Sequence, residues 1–305
     1  MTTTLTDAEV RAGLTAADSV ATMREAVLAA HRGELVTPAR SVTNLGEGRL
    51  LFTVGRWRGR WLGYRSYETF DRDHPDARDD QVVVVHDDVT GQLLGIVVGA
   101  ELGRRRTGAL GGVAVDALAP AAAKTLGLVG TGRQAWTQLW AVSAVRKLDT
   151  VRVYSRDERR RQEFAERASK ELGLATTAAP SAQAAVAEAD IVILATNSPE
   201  PVIRTHWLAP GCHVSTLGPK QRGRSEFAED LLESATALVT DSPAQLEAYD
   251  PPALAGGDRH ASQVASLGAV LAGDAPGRTG DSDRTVYLSV GLAGTEVALA
   301  AALLT

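Results

Sequence analysis

The chain has 305 residues, 44% of them hydrophobic and 23% charged, with a net charge of −5 at pH 7. That length lies at the upper edge of what one hydrophobic core supports, so two lobes are expected, and the slightly acidic balance gives no general attraction to nucleic acid or to an anionic membrane. There is no run of about 18 apolar residues, residues 1–10 (MTTTLTDAEV) lack the basic-then-apolar order of a secretion signal, and the single cysteine, Cys212, rules out an internal disulfide or a multi-cysteine zinc site. A cytoplasmic enzyme without a metal fits these limits.

Thr15 reads as the N-cap of a helix running to Ala30, with Val20, Met23, Val27 and Ala30 on one stripe. Short runs of β character follow at 36–43, 49–54, 61–69, 82–87 and 93–98, separated by turns at Gly46, Gly55, Gly59 and 87–91. Strands joined so closely are largely antiparallel. The acidic, proline-containing segment 70–80 reads as a solvated loop, and His74 within it as a surface residue, since no second histidine follows at ligand spacing. A helix over 103–118 begins with Arg104, Arg105 and Arg106, which point in different directions. They form a solvated basic end, or one of them, Arg106 before Thr107-Gly108, serves an anionic ligand. Ala119-Pro120 places a domain boundary, giving an α+β lobe over 1–119 and a second domain over 120–289. The segment 290–305 holds a final helix, over 291–303, apolar on most faces and expected to pack back on the first lobe.

Residues 124–156, KTLGLVGTGRQAWTQLWAVSAVRKLDTVRVYSR, read as strand, glycine turn, helix and strand. In such a unit Gly130 permits the tight turn, Gly132 lets the backbone approach a pyrophosphate, and Ala135 takes the third position of the GxGxxA fingerprint. The other reading is an α/β turn of flavodoxin type, whose glycines serve only the chain reversal. Alternation continues with a helix over 158–172, a short helix from Ser181, strands at 190–195, 213–217 and 237–240, a long loop over 248–261, and a helix near 264–271. Such alternation implies a doubly wound parallel sheet, with ligands beyond the carboxyl ends of its strands. The second strand ends in Ser155-Arg156, with Arg159 and Arg160 nearby and no carboxylate for the ribose hydroxyls. Asp157 falls too late and reads as a helix cap. NADP(H) is therefore the preferred cofactor, with NAD(H) possible.

Arg106-Thr107-Gly108-Ala109, LGLVGTGRQAWTQL (126–139), VRVYSRD (151–157), ATNSPEPV (195–202), WLAPGCHVSTLG (207–218), VTDSPAQ (239–245) and TVYLSVGLA (285–293) occur in an order that resembles the ornithine cyclodeaminase / mu-crystallin family. The resemblance implies an N-terminal α+β lobe that dimerises and contributes substrate groups, a Rossmann domain, and a C-terminal helix that returns to the first lobe. It implies substrate-carboxylate roles for Arg40, in TPARSV, and for Arg106. The dinucleotide set becomes Gly130, Gly132, Arg133, Gln134, Ser155, Arg156, Thr196, Asn197, Leu217, Gly218 and Ser289.

Two residues depart from the family pattern. Arg65, in LGYRSYETF, stands where the family usually has a lysine, and Lys220 stands where cyclodeaminases have an aspartate. Arginine does not readily lose its proton. An iminium, already positive, accepts hydride without a base, so an NAD(P)H-dependent reductase of a carboxylate-bearing imine, ketimine or keto substrate is expected, resembling the family's amino-acid dehydrogenases. In that reading Arg40 and Arg106 anchor the carboxylate and Lys220 is a candidate proton donor. The alternatives are a redox-neutral, NAD-dependent cyclodeaminase and a non-catalytic, mu-crystallin-like ligand-binding protein. The strand-rich first lobe, with an edge the chain does not cover, and the resemblance both imply a homodimer.

Overall fold

The structure, a computed structural model, describes residues 2–70, 80–256 and 260–304; His74 and nearly all of the segment 70–80 lie outside them. Two compact units are formed, one by residues 1–106 with 292–305 and the other by residues 107–291. The division falls inside one continuous helix, Glu101–Leu118, and not at Ala119-Pro120.

In the first unit, β1 (Thr3–Leu5) and α1 (Asp7–Gly13) precede α2 (Ala16–His31), whose expected cap is formed: the Thr15 hydroxyl accepts the Asp18 amide at 3.1 Å. Next come β2 (Leu35–Val36), β3 (Ser41–Asn44), β4 (Arg49–Trp57), β5 (Trp61–Glu68), β6 (Val82–Asp87), β7 (Leu93–Val98) and the start of α3 (Glu101–Leu118). The run expected over 36–43 is two strands; Pro38, between them, has no amide for the ladder. The sheet runs β1-β7-β6-β5-β4-β2, with β3 also on β4. All pairings are antiparallel except that of β1, which joins β7 in parallel.

Gly55 of β4 faces Gly63 of β5, and Gly95 lies on the same row two strands further on, beyond Val85. A methyl group on each would collide with the C-terminal helix (Thr295–Leu304) or its entry: Gly55 with Gly294, Gly63 with Val297, Gly95 with Leu304. This row of glycines is the seat that lets the helix lie close on the sheet. The helix begins at Thr295 and not at 291, because Gly291 and Gly294 turn the chain with positive φ. On the opposite face the cross-strand row Val54, Tyr64, Val84 and Ile96 is apolar, and Val54 and Tyr64 are exposed.

The second unit contains β8 (Thr125–Val129), α4 (Arg133–Val142), β9 (Thr150–Tyr154), α5 (Glu158–Leu172), β10 (Thr176–Ala178), α6 (Ala182–Val186), β11 (Ile191–Leu194) and β12 (His213–Thr216). A small hairpin of β13 (Lys220–Gln221) and β14 (Arg224–Ser225) follows, then α7 (Glu229–Glu233), β15 (Ala237–Thr240), α8 (Pro243–Glu247), β16 (Val264–Ser266), α9 (Leu267–Ala272) and β17 (Thr285–Leu288). Eight strands form one parallel sheet in the order β10-β9-β8-β11-β12-β17-β15-β16. Alternate residues of β11 enter separate cores, Val192 and Leu194 on one face and Ile191 and Ile193 on the other. Burial on both faces explains why such strands read as unbroken apolar runs. The helix expected from 264 starts at Leu267, since the preceding three residues complete the sheet edge as β16. On α3, Gly108 and Gly111 lie so close to Thr137 and Gln138 of α4 that a methyl on either would clash, and the Gln138 amide donates to the Thr107 carbonyl at 2.9 Å. No helix among the described residues is long and apolar enough to cross a membrane.

Candidate functional site

The arginines of the first unit meet around one carboxylate. Arg65 projects from β5 on the glycine-row face and its Nη1 donates to Glu296 Oε1 at 2.5 Å, while its Nε donates to Gln81 Oε1 at 2.9 Å. Arg106, on the second turn of α3, donates from Nη2 to the same Glu296 oxygen. All three side chains are buried, and Arg106 Nε has no hydrogen-bond partner among the described residues. Burial alone would push the Glu296 carboxyl up, but the guanidiniums of Arg106 and Arg65 hold it down at about 2. Burial also pulls Arg65 below its usual range, opposed by Glu296. Tyr67, two residues along β5 from Arg65 and so on the same face, stacks with its ring centroid 4.2 Å from the Arg65 guanidinium carbon. Arg40 approaches the same ring at 6.0 Å. Tyr64 is on the other face and pairs with Phe52. Arg104 and Arg105 both turn to Glu101 of their own helix, leaving Arg106 as the inward member of the three.

In the second unit the order β10-β9-β8 reverses beyond β8 to β11-β12, which places a crevice at the carboxyl ends of β8 and β11. Gly130 adopts φ +120, and a methyl there would collide with the Ala195 carbonyl of the next turn. Gly132, the N-cap of α4, offers no capping side chain, and a methyl there would meet no atom within 4 Å. A bare backbone facing open space ahead of uncapped helix amides fits a dinucleotide pyrophosphate, with exposed Arg133 and half-buried Gln134 on the first turn. Ser155 and Arg156 follow β9 directly. The Ser155 hydroxyl donates to the Asp157 carbonyl at 2.8 Å, and Asp157 caps α5 through the Arg160 amide at 3.1 Å. Arg159 pairs with Glu163 and Arg160 with Asp157, while Arg156 is exposed.

Further along the same edge, Thr196 and exposed Asn197 follow β11, Leu217 and Gly218 follow β12, and buried Ser289 follows β17 with its amide on the Thr216 carbonyl at 3.1 Å. Lys220 belongs to this unit and is buried; its ammonium donates to the Gly218 carbonyl at 2.7 Å and the Leu217 carbonyl at 3.4 Å. Burial pushes its pKa down to about 8, against the pull of Glu226 and Asp241. Two carboxylates went unread in the sequence. Glu226 accepts from the amides of Leu217, Gly218 and Thr196 and from the Thr196 hydroxyl, and Asp241 accepts from the amides of Val290 and Gly291. The sequence signal for Asp241 is its place immediately after a strand; Glu226 carries none.

The folded-state pKa of Glu296, about 2, lies below its ordinary value of 4.5, so its contribution is complete above pH 4.5 and is lost as pH falls toward 2. The size is about 3 kcal/mol. Urea midpoints measured from pH 7 to pH 2 should follow that loss. Glu296→Gln should remove this part of the slope and cost about 3–5 kcal/mol at pH 7 by leaving two buried guanidiniums unpaired. A variant as stable as the parent at pH 7 would show the pairing to be idle.

A model of the ornithine cyclodeaminase/mu-crystallin family matches residues 60–304. The chain is 34% identical over 223 residues to a Delta(1)-pyrroline-2-carboxylate reductase of Bacillus cereus, covering 72% of this chain and 68% of that one. It is 32% identical over 222 residues to an iminosuccinate reductase of Paracoccus denitrificans, with the same coverage of 72% and 68%. Among solved structures, Delta(1)-pyrroline-2-carboxylate reductase of Thermococcus litoralis, in complex with NADH and L-proline, superimposes with a TM-score of 0.89 at 26% identity over 99% of this chain and 96% of that one. The glycine turn, the reversing parallel sheet and the inward Arg106 thus stand within a match that spans most of the sequence, and the chain belongs to the ornithine cyclodeaminase/mu-crystallin family.

Proposed function

We propose that the protein is an NAD(P)H-dependent oxidoreductase that reduces the C=N bond of a carboxylate-bearing imine or ketimine, or the corresponding keto substrate in the manner of an amino-acid dehydrogenase. The observation that carries this reading is the buried set of Arg65, Arg106 and Glu296, two guanidiniums on one carboxylate oxygen. It offers charge to hold an anion and nothing that can take a proton at neutral pH: arginine stays charged, and Glu296 is ionised far below neutrality. Imine reductases among the relatives support the same reaction, since pyrroline-2-carboxylate and iminosuccinate are both imines bearing a carboxylate.

In this reading Arg106 and Arg65 hold the substrate carboxylate, Arg40 adds a third cation beside Tyr67, and Glu296 fixes the two buried forks. A reduced nicotinamide, when bound, supplies the hydride. The substrate carbon accepts it as an iminium, whose charge is in place before the step, so the protein's work is orientation and charge. Lys220, with its ammonium on the Leu217 and Gly218 carbonyls, braces the turn after β12. The dinucleotide is held by Gly130, Gly132, Arg133, Gln134, Ser155, Arg156, Thr196, Asn197, Leu217, Gly218 and Ser289. NADPH is favoured over NADH because Arg156 stands at the end of β9 while its neighbours Arg159 and Arg160 are taken up by Glu163 and Asp157. The work is done in the cytoplasm by a homodimer joined through the apolar sheet face around Val54 and Tyr64.

Three outcomes test this reading. Purified protein should oxidise NADPH on addition of Delta(1)-pyrroline-2-carboxylate, Arg106→Ala should lower kcat/KM by about 2–5 kcal/mol, and incubation with ornithine and NAD⁺ should give neither proline nor ammonia. Clear turnover of ornithine would sink the reductase assignment. Arg156→Ala should erase a preference for NADPH of about tenfold, the lower end for a charge-assisted contact at an exposed side chain. Equal affinity of the parent for NADH and NADPH would mean that Arg156 does not touch the cofactor. Light scattering at micromolar concentration should give twice the 32.1 kDa chain mass, shifting toward the monomer in Tyr64→Lys; a monomeric parent would exclude the dimer.

A further inference from the structure

Three strand-end turns stand in a row along the carboxyl edge of the parallel sheet and touch through their backbones. Gly130, after β8, has no room for a methyl because of the Ala195 carbonyl, and the Ala195 amide donates to Val129 at 2.9 Å. Gly218, after β12, has no room for one because of the Thr196 carbonyl and Glu226 Oε2. One buried carboxylate joins the second turn to the third. Glu226 Oε2 accepts from the Thr196 amide at 2.9 Å and from its hydroxyl at 2.8 Å, while Oε1 accepts from the Leu217 amide at 3.0 Å and the Gly218 amide at 2.5 Å. The Glu226 main chain is itself tied on both sides, its amide to the Pro219 carbonyl and its carbonyl to the Val202 amide, each at 2.9 Å. Lys220 holds the carbonyls of the same two residues, Gly218 and Leu217.

This is more than the sheet needs. β11 and β12 are already joined by a four-residue parallel ladder, and the Leu217 amide also reaches the Leu194 carbonyl at 2.9 Å. A fully desolvated carboxylate with four donors, spent on two turns beyond the end of that ladder, sets the position of backbone that the ladder leaves loose. We propose that Glu226 is a positioning residue of the dinucleotide site, a clamp that fixes the turns carrying Thr196, Asn197, Leu217 and Gly218 relative to each other and, through Ala195, to the Gly130 turn. The proposal rests on the dinucleotide reading. The adenosine half of a dinucleotide in this fold lies toward the end of the second strand, here β9, so the clamp acts on the half that lies across the reversal of strand order.

Two variants test it by opposite routes. Glu226→Gln keeps the shape but turns an acceptor pair into one acceptor and one donor, which then faces backbone N–H groups. Gly218→Ala keeps the carboxylate and wedges a methyl between it and the Thr196 carbonyl. Affinity for NADPH and for ADP is measured by fluorescence well below each variant's melting temperature, with amide exchange at Thr196 and Gly218 followed in parallel. Each variant should bind NADPH at least tenfold more weakly, bind ADP within threefold of the parent, and lose exchange protection at those two amides. NADPH binding within threefold of the parent in either folded variant would overturn the clamp. Equal weakening toward NADPH and ADP would also overturn it, as would failure of both variants to fold, because the carboxylate would then be a general element of stability. A parent that binds neither NADPH nor NADH would instead defeat the dinucleotide reading on which the clamp depends.

Discussion

Two buried guanidiniums sharing one carboxylate oxygen constrain the whole of the first unit. Neither Arg65 nor Arg106 is tolerable inside a protein without a counter-ion, and the carboxylate that serves them comes from a helix far along the chain. That helix reaches the arginines only because Gly55, Gly63 and Gly95 leave β4, β5 and β7 without side chains along one row, so that Gly294, Val297 and Leu304 sit against bare backbone at those three positions. A packing feature therefore determines an electrostatic one. Larger residues on the row would lift the helix and separate Glu296 from its partners. The pairing also fixes the donors: a guanidinium already held on one side by Glu296 keeps its remaining N–H groups in a set direction.

The second unit solves a related problem with backbone. Strand ends in a parallel sheet leave amides and carbonyls without ladder partners, and here these are taken by Glu226, Asp241 and Lys220, all buried. At the Gly132 turn, among the described residues, no side chain caps the first amides of α4, and a methyl on Gly132 would meet no atom within 4 Å. The same edge thus contains turns held by buried side chains and one turn that no capping side chain holds.

Most of this architecture was legible where a run of residues carries its own periodicity. β4 through β7, the β8–α4–β9 unit and α5 follow from alternation, glycine punctuation and helical spacing. What escaped depends on distant partners. β1 has three residues and exists as a strand because β7 receives it, and β17, an inner strand of the parallel sheet, is four residues long and lies between turns. The final helix could be read as packed, yet its seat is visible only once β4, β5 and β7 are in register. Arg106 stood out as the arginine ahead of a small-residue turn, and Arg65 and Lys220 as charges out of family pattern. Sequence could not show that Arg65 and Arg106 converge on Glu296, or that Lys220 turns back on its own carbonyls, because both depend on side chains brought together by the fold. The carboxylate of Glu226 had no signal, since its partners are backbone amides, which every sequence possesses.

The route of the chain has a consequence for how the protein comes into being. The second unit interrupts the first, and Glu296 follows Arg106 by 190 residues. At a synthesis rate of roughly 5–20 residues per second, the partner carboxylate is made about 10–40 s after the arginines. The nascent first unit spends that interval with its glycine row uncovered and its two inward cations uncompensated, while the parallel sheet of the second unit, whose strands all lie between, is completed ahead of it. The interrupted unit is the earlier to be translated and the later to be finished.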